Sequence, residues 1–376
     1  MVATSGNSLS GGAIKSFLAL CVAMKKDGLN FMVWLPSHGI VEQECKRLGL
    51  QYICFREYGG AWLKRTDGKN QWFIAQLKRL LNYYTFIKCK IFLKRNNPAF
   101  IHINAVTGGY TIARAAEKLN IPVIWHIREF MEEDLSLTFR NKKKIFSILN
   151  KAQCFIAISK EIEKKWQKKL APHIYVVYNG IETNKYEVKK KKAHKLVNII
   201  MYGRIDEGKN QLFFLKAIAT MSPKVRKNCH FFLAGSNQNR AYFNKCMQYI
   251  SDAGINKYVT YLGEISNIKK LLSTQDIACV CSKKEGFGRV NVEAIMGKCI
   301  VVAADAGASK EIIHDGKNGY IYAHDDLDDF KNKLYSAILN KDKFNYAENQ
   351  AEIRHQFSAE NNERNIVKVY EKNNLL

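Results

Sequence analysis

Short apolar runs alternate with helical stretches along this chain, and that alternation restricts its fold more than any other feature. The runs "NFMVWLP" (Asn30–Pro36), "AFIHINA" (Ala99–Ala105), "PVIWHI" (Pro122–Ile127), "CFIAIS" (Cys154–Ser159) and "IYVVYNG" (Ile174–Gly180) are apolar almost throughout, as strands buried on both faces are. A helical segment, "GGAIKSFLALCVAMKKDG", precedes the first of them, with Gly11-Gly12 in front and Gly28 behind. Buried strands separated by helices predict a parallel, doubly wound α/β sheet. The strand before Gly11 is short, only Val2 to Ser5, so the start of the chain could be truncated.

The pattern then restarts. After the lysine run "VKKKKAHK" (Val188–Lys195), which reads as a solvated linker, come "LVNIIMYG", "CHFFLAG", "YVTYLG", "IACVCS", "IVVAA" and "GYIYA". Single cores stop growing at roughly 250–300 residues, so 376 residues also favour two domains. The expected division is 1–180 and 181–357. The last piece, "SAENNERNIVKVYEKNNLL", spaces Ile366, Val369 and Tyr370 as a helix would. In open α/β sheets ligands bind outside the carboxyl ends of the strands, and two such domains favour a cleft between them.

Composition excludes several classes. With 47% apolar residues and 5 prolines the chain is globular rather than disordered. No apolar run approaches the roughly 18–20 residues of a membrane span, and "MVATSGNSLSGG" lacks the basic start of a signal peptide. The 10 cysteines show no Cys-x-x-Cys pair and no zinc-ligand spacing, which favours a reduced, cytoplasmic compartment. The net charge of +25 is uneven. Residues 1–195 carry 34 basic and 14 acidic side chains, and residues 196–376 carry 25 and 20. A positive first half suits an anionic partner, with nucleic acid and an anionic membrane surface both open.

Three segments carry candidate chemistry. "SGNSLSGGAIKSF" (Ser5–Phe17) sets glycines at a strand-to-helix turn. It is either a plain tight turn or a loop that lets backbone N–H groups approach a ligand. "MYGRIDEGKNQLFFLKAI" (Met201–Ile218) ends a strand at Gly203 and follows it with Arg204 and Lys209. These are either solvated cations or a diphosphate clamp. "KKEGFGRVNVEAIMGK" (Lys283–Lys298) places Glu285 at a strand exit, Gly286-Phe287-Gly288 in a turn, and Glu293 inside a helix. Val290, Ala294 and Ile295 give that helix an apolar face, and Gly297 marks its stop. Its N-terminus offers free N–H groups to a phosphate. A carboxylate can accept two hydrogen bonds from a vicinal diol, whereas the plain alternatives are helix-dipole stabilisation for Glu293 and a solvated turn for Glu285.

These residues closely resemble the Glu-x7-Glu signature region of the retaining glycosyltransferases of family 4. "EGFGRVNVEAIMGKCIVVAADAGASKEIIHDGKNGYIY" carries the resemblance. So do the Gly11-Gly12 loop, His126 after a core strand, "AIS", "YNGIE", "GRIDEGKN", "LAG" and "LGE", all in the family's order. The resemblance spans nearly the whole chain. It implies a GT-B fold: two Rossmann-like domains facing across a cleft, the last helix crossing back onto the first domain. It also implies a bacterial-type enzyme that takes a hexose from a nucleotide diphosphate sugar to a glycan or lipid-linked glycan, without metal or other cofactor. By analogy Glu293 would hold the ribose diol, and Glu285 with the backbone of Gly286, Phe287, Gly288 and Val290 the hexose. Arg204 and Lys209, beside Gly203, would neutralise the leaving diphosphate. Gly11 and Gly12 would approach it from the first domain, and His126 would lie beside the donor sugar. A phosphorylase-like relative would need a cofactor lysine site, which cannot be located. The rival of a different class is a catalytically silent, basic GT-B-like protein that only binds a glycan, a membrane or a partner.

Three features stand beside that resemblance. Asp326-x-Asp328 in "HDDLDDF" has the spacing used for metal in another architecture, or it supplies acids to a helix start. Arg128 and Glu129, after His126, either contact a substrate or pair within a loop. "NQWFIAQLKRLLNYYTFIKCKIFLKRNN" (Asn70–Asn97) reads as a long helix with Trp72, Leu77, Leu80, Tyr84, Ile87 and Ile91 on one face. That face either packs into the core or rests on anionic lipid, reinforced by Lys142–Lys144, Lys164, Lys165, Lys168 and Lys169. Lipid-linked acceptors are common in the family, which favours peripheral association with the inner face of the plasma membrane. No nucleic-acid module is found. The oligomeric state stays open.

Overall fold

The computed structural model describes residues 2–3, 12–59, 62–64, 72–133, 137–192 and 194–376, with the backbone alone at 2–3, 62–64 and 72–76. It divides into two compact units: Met1–Ile181 with Ala359–Leu376, and Glu182–Ser358.

The first unit contains β1 (Val2–Ala3), β2 (Val33–Leu35), β3 (Tyr52–Cys54), β4 (Trp62–Lys64), β5 (Ile101–Ile103), β6 (Val123–Ile127), β7 (Leu137–Phe139), β8 (Cys154–Ala157) and β9 (Ile174–Val176). Seven of them form a parallel sheet in the order β3-β2-β1-β5-β6-β8-β9, while β4 and β7 pair antiparallel beside it. The five apolar runs of this half all become strands. β3, β4 and β7 were not read from sequence: each is followed within two residues by an arginine, so no extended apolar run marks it. The C-terminal helix, Ala359–Lys372, belongs to this unit. Its Ile366, Val369 and Tyr370 are buried in one core with Phe17, Leu20 and Met24 of the helix Gly12–Lys26. Asn362 Nδ2 donates to the Tyr178 carbonyl at 2.6 Å, fixing the start of the returning helix.

The long helix spans Trp72–Asn96. A core-facing role for its apolar stripe does not hold. Thr85, Cys89 and Leu93 are the buried positions, whereas Leu77, Leu80, Tyr84, Ile87 and Ile91 are exposed by 60, 70, 60, 39 and 49%. The buried positions recur every four residues and satisfy the packing, so the second stripe faces solvent. The side chain of Trp72 lies outside the described residues.

The second unit contains β10 (Val197–Tyr202), β11 (Cys229–Ala234), β12 (Val259–Tyr261), β13 (Ile277–Val280), β14 (Ile300–Ala304) and β15 (Gly319–Tyr322). All six coincide with the apolar runs. They form one parallel sheet in the order β12-β11-β10-β13-β14-β15, so the winding reverses between β10 and β13.

The lysine run is not a simple solvated linker. Val188 is buried and donates its N–H to the Met296 carbonyl at 3.0 Å. Lys191 Nζ donates to the carbonyls of Leu272, at 2.7 Å, and Gln275. The ammonium thus adds a donor at the end of the helix Ile268–Leu272, where the Leu272 carbonyl also accepts from the Gln275 N–H. Lys189 and Lys190 are exposed. Lys191→Ala should therefore destabilise the protein by about 1–3 kcal/mol in denaturant titration. Lys190→Ala should stay within about 0.5 kcal/mol of the parent. Equal effects would contradict the capping role.

Candidate active site

Ligands of open α/β sheets bind where the winding reverses, outside the carboxyl ends of the strands. In the second unit the two strands at that point are β10 and β13. The loop after β10 carries Gly203, Arg204 and Lys209, and the loop after β13 carries Glu285. The structure brings the two loops together: Lys209 Nζ lies 2.5 Å from Glu285 Oε1, with their side chains 24 and 11% exposed. Backbone joins them as well, since the Lys283 N–H donates to the Gly208 carbonyl at 2.9 Å.

Glu285 is held from a third side. Its N–H donates to the Ala306 carbonyl at 3.2 Å, and its carbonyl accepts from the Ala308 N–H at 2.9 Å. Gly307 lies between those partners at φ +70°, and a Cβ there would stand 2.1 Å from the Glu285 oxygen. Only glycine permits this approach. Arg204 is more open, its side chain 56% exposed and its Nε 3.2 Å from Asp206. Its carbonyl accepts from buried Gln211 Nε2 at 2.8 Å, which anchors the loop. Lys209 N–H donates to Asp206 Oδ1 at 2.9 Å.

The helix Arg289–Met296 begins at Gly288, which adopts φ +92° and offers no side-chain cap. The first N–H groups of such a helix favour an anion. Phe287 is buried, its ring 5.6 Å from that of Phe357, so its side chain packs into the protein. Gly297 does end the helix, but at φ −75°; the left-handed residue is Lys298. The glycine is needed because a Cβ would meet Leu272 at 2.6 Å.

Glu293 lies one turn into this helix, its side chain 8% exposed and 3.5 Å from Arg289. Burial, and then the Glu293 charge, push the Tyr186 phenol up to about 12. Tyr186 therefore stays protonated and hydrogen-bonds the carboxylate. Tyr202 donates to the Val290 carbonyl at 3.2 Å and steadies the same turn. Arg289, Tyr186 and Gln211 were not singled out from sequence. Arg289 sits inside the quoted motif, four residues before Glu293, and that spacing was the available signal.

The remaining candidates belong to the first unit. Gly11 lies outside the described residues, and Gly12 opens the helix Gly12–Lys26. His126, at the end of β6, is fully buried in a polar chain. Arg128 Nη2 can only donate, so His126 Nδ1, 3.3 Å away, accepts. His102 Nε2, 3.2 Å from the same atom, must then donate too, and His102 Nδ1 accepts from the Tyr370 hydroxyl at 2.6 Å. This order leaves the His126 proton on Nε2, which is buried without a hydrogen-bond partner among the described residues. Arg128 donates to the Asn104 carbonyl at 2.9 Å and to Asn179 Oδ1, so it is a buried structural cation and not an exposed contact. No sequence pattern links His102 to Tyr370, which stand 268 residues apart.

Asp326 caps the helix Leu327–Asn340, accepting from the N–H groups of Asp328 and Asp329 at 3.0 and 2.9 Å. The Asp-x-Asp spacing thus serves a helix start. Among the described residues no three His, Cys, Asp or Glu side chains gather as a metal cluster.

Each unit is a doubly wound parallel sheet, the architecture of the GT-B fold, and the second carries a lysine and a glutamate in contact at its switch point. Residues 182–357 match the family model described as glycosyl transferases group 1, and residues 10–185 match glycosyltransferase family 4, so the chain belongs to these glycosyltransferases. A Campylobacter jejuni relative, named as an N-acetyl-D-galactosaminyltransferase of a PP-undecaprenol-linked glycan, is 31% identical over 150 residues, 39% of this chain and 40% of the relative. The Staphylococcus aureus capsular polysaccharide glycosyltransferase CapH is 28% identical over 136 residues, 36% of this chain and 38% of CapH. The match thus spans about two fifths of the length of these curated relatives. Among solved structures, Anabaena HepE in complex with UDP superposes with TM-score 0.79 at 19% identity, covering 99% of each chain. A Rickettsia africae glycosyltransferase superposes with TM-score 0.80 at 15% identity, over 99% of this chain and 97% of the other. At these identities the likeness shows the fold.

Burial, and then the charge of Arg128, hold His102 at about 3 and keep His126 well below the usual 6.5. Between pH 6.5 and 3 the unfolded chain takes up these protons and the folded chain does not. Stability from this pair is complete above about pH 6.5 and is lost as pH falls below it, by about 1.4 kcal/mol per pH unit per histidine. Denaturant midpoints measured from pH 7 to pH 4 should fall, and His102→Gln should flatten the fall. An unchanged slope in that variant would contradict the assignment.

Proposed function

We propose that the protein is a retaining, metal-independent hexosyltransferase that moves a hexose from a nucleoside diphosphate sugar to a glycan carried on a lipid, in cell-surface polysaccharide synthesis. One observation carries the reading: Lys209 and Glu285 meet at the switch point of the second unit, beside an uncapped helix N-terminus. A cation suited to a phosphate and a carboxylate suited to sugar hydroxyls stand in contact, as the two ends of a sugar–diphosphate bond require. The relatives' names support the acceptor class. They include a transferase of a PP-undecaprenol-linked glycan, a capsular polysaccharide transferase and lipopolysaccharide core mannosyltransferases.

In this mechanism Glu293 accepts from the ribose diol, steadied by Arg289 and Tyr186. Glu285 and the backbone of Gly286, Phe287 and Gly288 take the hexose. As the anomeric C–O bond breaks, charge grows on the diphosphate and the sugar becomes oxocarbenium-like. Lys209, Arg204 and the helix N-terminus stabilise that charge, so fixed protein cations and dipoles do the electrostatic work. The acceptor attacks on the face from which the diphosphate leaves, and the diphosphate takes the acceptor's proton. His126, fixed as a neutral Nε2–H group, keeps its proton and does not act as a base.

The protein works at the cytoplasmic face of an anionic membrane, bound through its first unit. The solvent-facing stripe Leu77, Leu80, Tyr84, Ile87 and Ile91 supports this, flanked by Lys78, Arg79 and Lys88. Each cation near such a surface adds about 1 kcal/mol. No described helix is long and apolar enough to cross a membrane.

Two experiments test these roles. Glu293→Ala should weaken nucleoside diphosphate binding by about tenfold to a hundredfold, the scale of lost charge-assisted hydrogen bonds. Glu285→Ala should lower turnover about a hundredfold with nucleotide affinity nearly unchanged. Calorimetry and product release separate the two, and equal loss of nucleotide affinity would contradict the division. In vesicle flotation at low salt, the parent should bind anionic vesicles and the pair Leu80→Glu, Ile87→Glu should not. A parent that ignores such vesicles would end the membrane proposal.

A further inference from the structure

The first unit holds a cavity of about 220 Å³ that the proposed donor chemistry leaves unused. Phe130 and Met131 reach it from the loop that leaves β6, and Leu137 and Phe139 from β7. Phe146 of the helix Lys142–Leu149 and Trp166 of the helix Lys160–Gln167 close the aromatic side. Three rings form its wall: Phe139 lies 5.8 Å from Phe146 and 6.3 Å from Trp166, and Phe146 lies 6.4 Å from Trp166. The Trp166 indole is oriented by donation to the Glu129 carbonyl at 3.1 Å. Met131 holds φ +73°, a conformation side chains rarely adopt, and its carbonyl accepts from the Leu137 N–H at 2.9 Å. Strain held in place this way recurs at binding sites.

The charged lining carries three lysines, Lys142, Lys165 and Lys169, and one carboxylate, Glu132. Lys165 pairs with Glu133 and donates to the Phe130 carbonyl. Lys142 stands a loose 3.7 Å from Glu132. Lys169 lies over the Trp166 ring, 5.8 Å from its centroid, with no carboxylate partner among the described residues. Lys164 and Lys168 follow on the same segment. A ligand here meets an apolar, aromatic interior and an ammonium at its edge. Thr138 is the one neutral polar side chain of the lining, and the Phe130, Met131, Leu137, Phe139, Phe146 and Trp166 side chains make the rest of it apolar. A cavity of about 150 Å³ admits benzene, and drug-sized ligands fill about 300 Å³ or more. The space therefore suits a segment of hydrocarbon chain.

We propose that this pocket binds the hydrocarbon chain of a phosphate-bearing lipid, with Lys169 on the phosphate. The proposal rests on the reading of a lipid-linked acceptor and names where its lipid end is held. The shared chemistry, an apolar chain beside a phosphate, occurs in isoprenoid phosphates and in phospholipids.

Titration of the full chain with farnesyl phosphate, followed by tryptophan fluorescence, tests it. A saturable change is expected that disappears in Trp166→Phe. Farnesol, which lacks the phosphate, should bind about tenfold more weakly, the scale of one charge-assisted contact. Lys169→Glu, a change at an exposed side chain, should cost about the same with farnesyl phosphate. Lys372→Glu on the C-terminal helix should change nothing. Short-chain phosphatidic acid, run in parallel, identifies the source: weaker binding assigns the pocket to isoprenoid phosphates, equal binding to phosphate lipids generally. Farnesol binding as tightly as farnesyl phosphate, an unaltered Lys169→Glu, or no saturable change with either lipid would overturn the proposal. Sugar transfer to a lipid-linked acceptor with Trp166 silent would overturn the pocket and leave the function standing. Lipid phosphate binding without turnover of any sugar donor would do the reverse.

Discussion

The contact between Lys209 and Glu285 depends on strand order before it depends on either side chain. β10 and β13 are adjacent in the sheet, though two strands lie between them in sequence. The reversal of winding opens their loops toward one another, and the Lys283–Gly208 backbone bond ties them. Glu285 is then pinned by the turn after β14, where Gly307 alone allows the approach. A carboxylate and an ammonium placed this way are preorganised, because backbone bonds hold both loops in place.

Charge is handled differently in the two units. In the second, Arg204 stays largely solvated and Lys209 partly so, while Glu285 and Glu293 are buried beside their cations. In the first, Arg128 is buried among Asn104, Asn179 and His126, and its donors fix the proton order through His102 to Tyr370. That order joins the returning C-terminal helix to the end of β6 by hydrogen bonds as well as by packing. The excess positive charge lies elsewhere, along the long helix and on the two helices beside the aromatic pocket. The apolar stripe and the pocket both set apolar surface beside lysine.

Much of this was legible in the residues. Eleven of the strands follow from apolar runs, because strands buried on both faces must be apolar at successive positions. β3, β4 and β7 escaped, because Arg56, Arg65 and Arg140 follow them closely and no extended apolar run marks them. The segment around Glu285 and Glu293 could be read because its turn chemistry and helix start are local. What could not be read is long-range. Nothing near Lys209 in sequence points to Glu285, Lys191 looks like any lysine in a charged run, and Phe287 looks like a ligand contact until Phe357 is seen against it. The stripe on the long helix was visible as a period, but a period states which residues share a face, not whether that face is covered.

The most direct test of the central claim is release of nucleoside diphosphate from a panel of sugar donors by the parent and by Lys209→Met, with folding checked by circular dichroism. Turnover by the parent on at least one donor is expected, reduced about a hundredfold or more in the variant, because charge on the leaving diphosphate loses its cation. A parent that binds nucleotide yet releases it from no sugar donor, or a Lys209→Met variant as fast as the parent, would contradict the account.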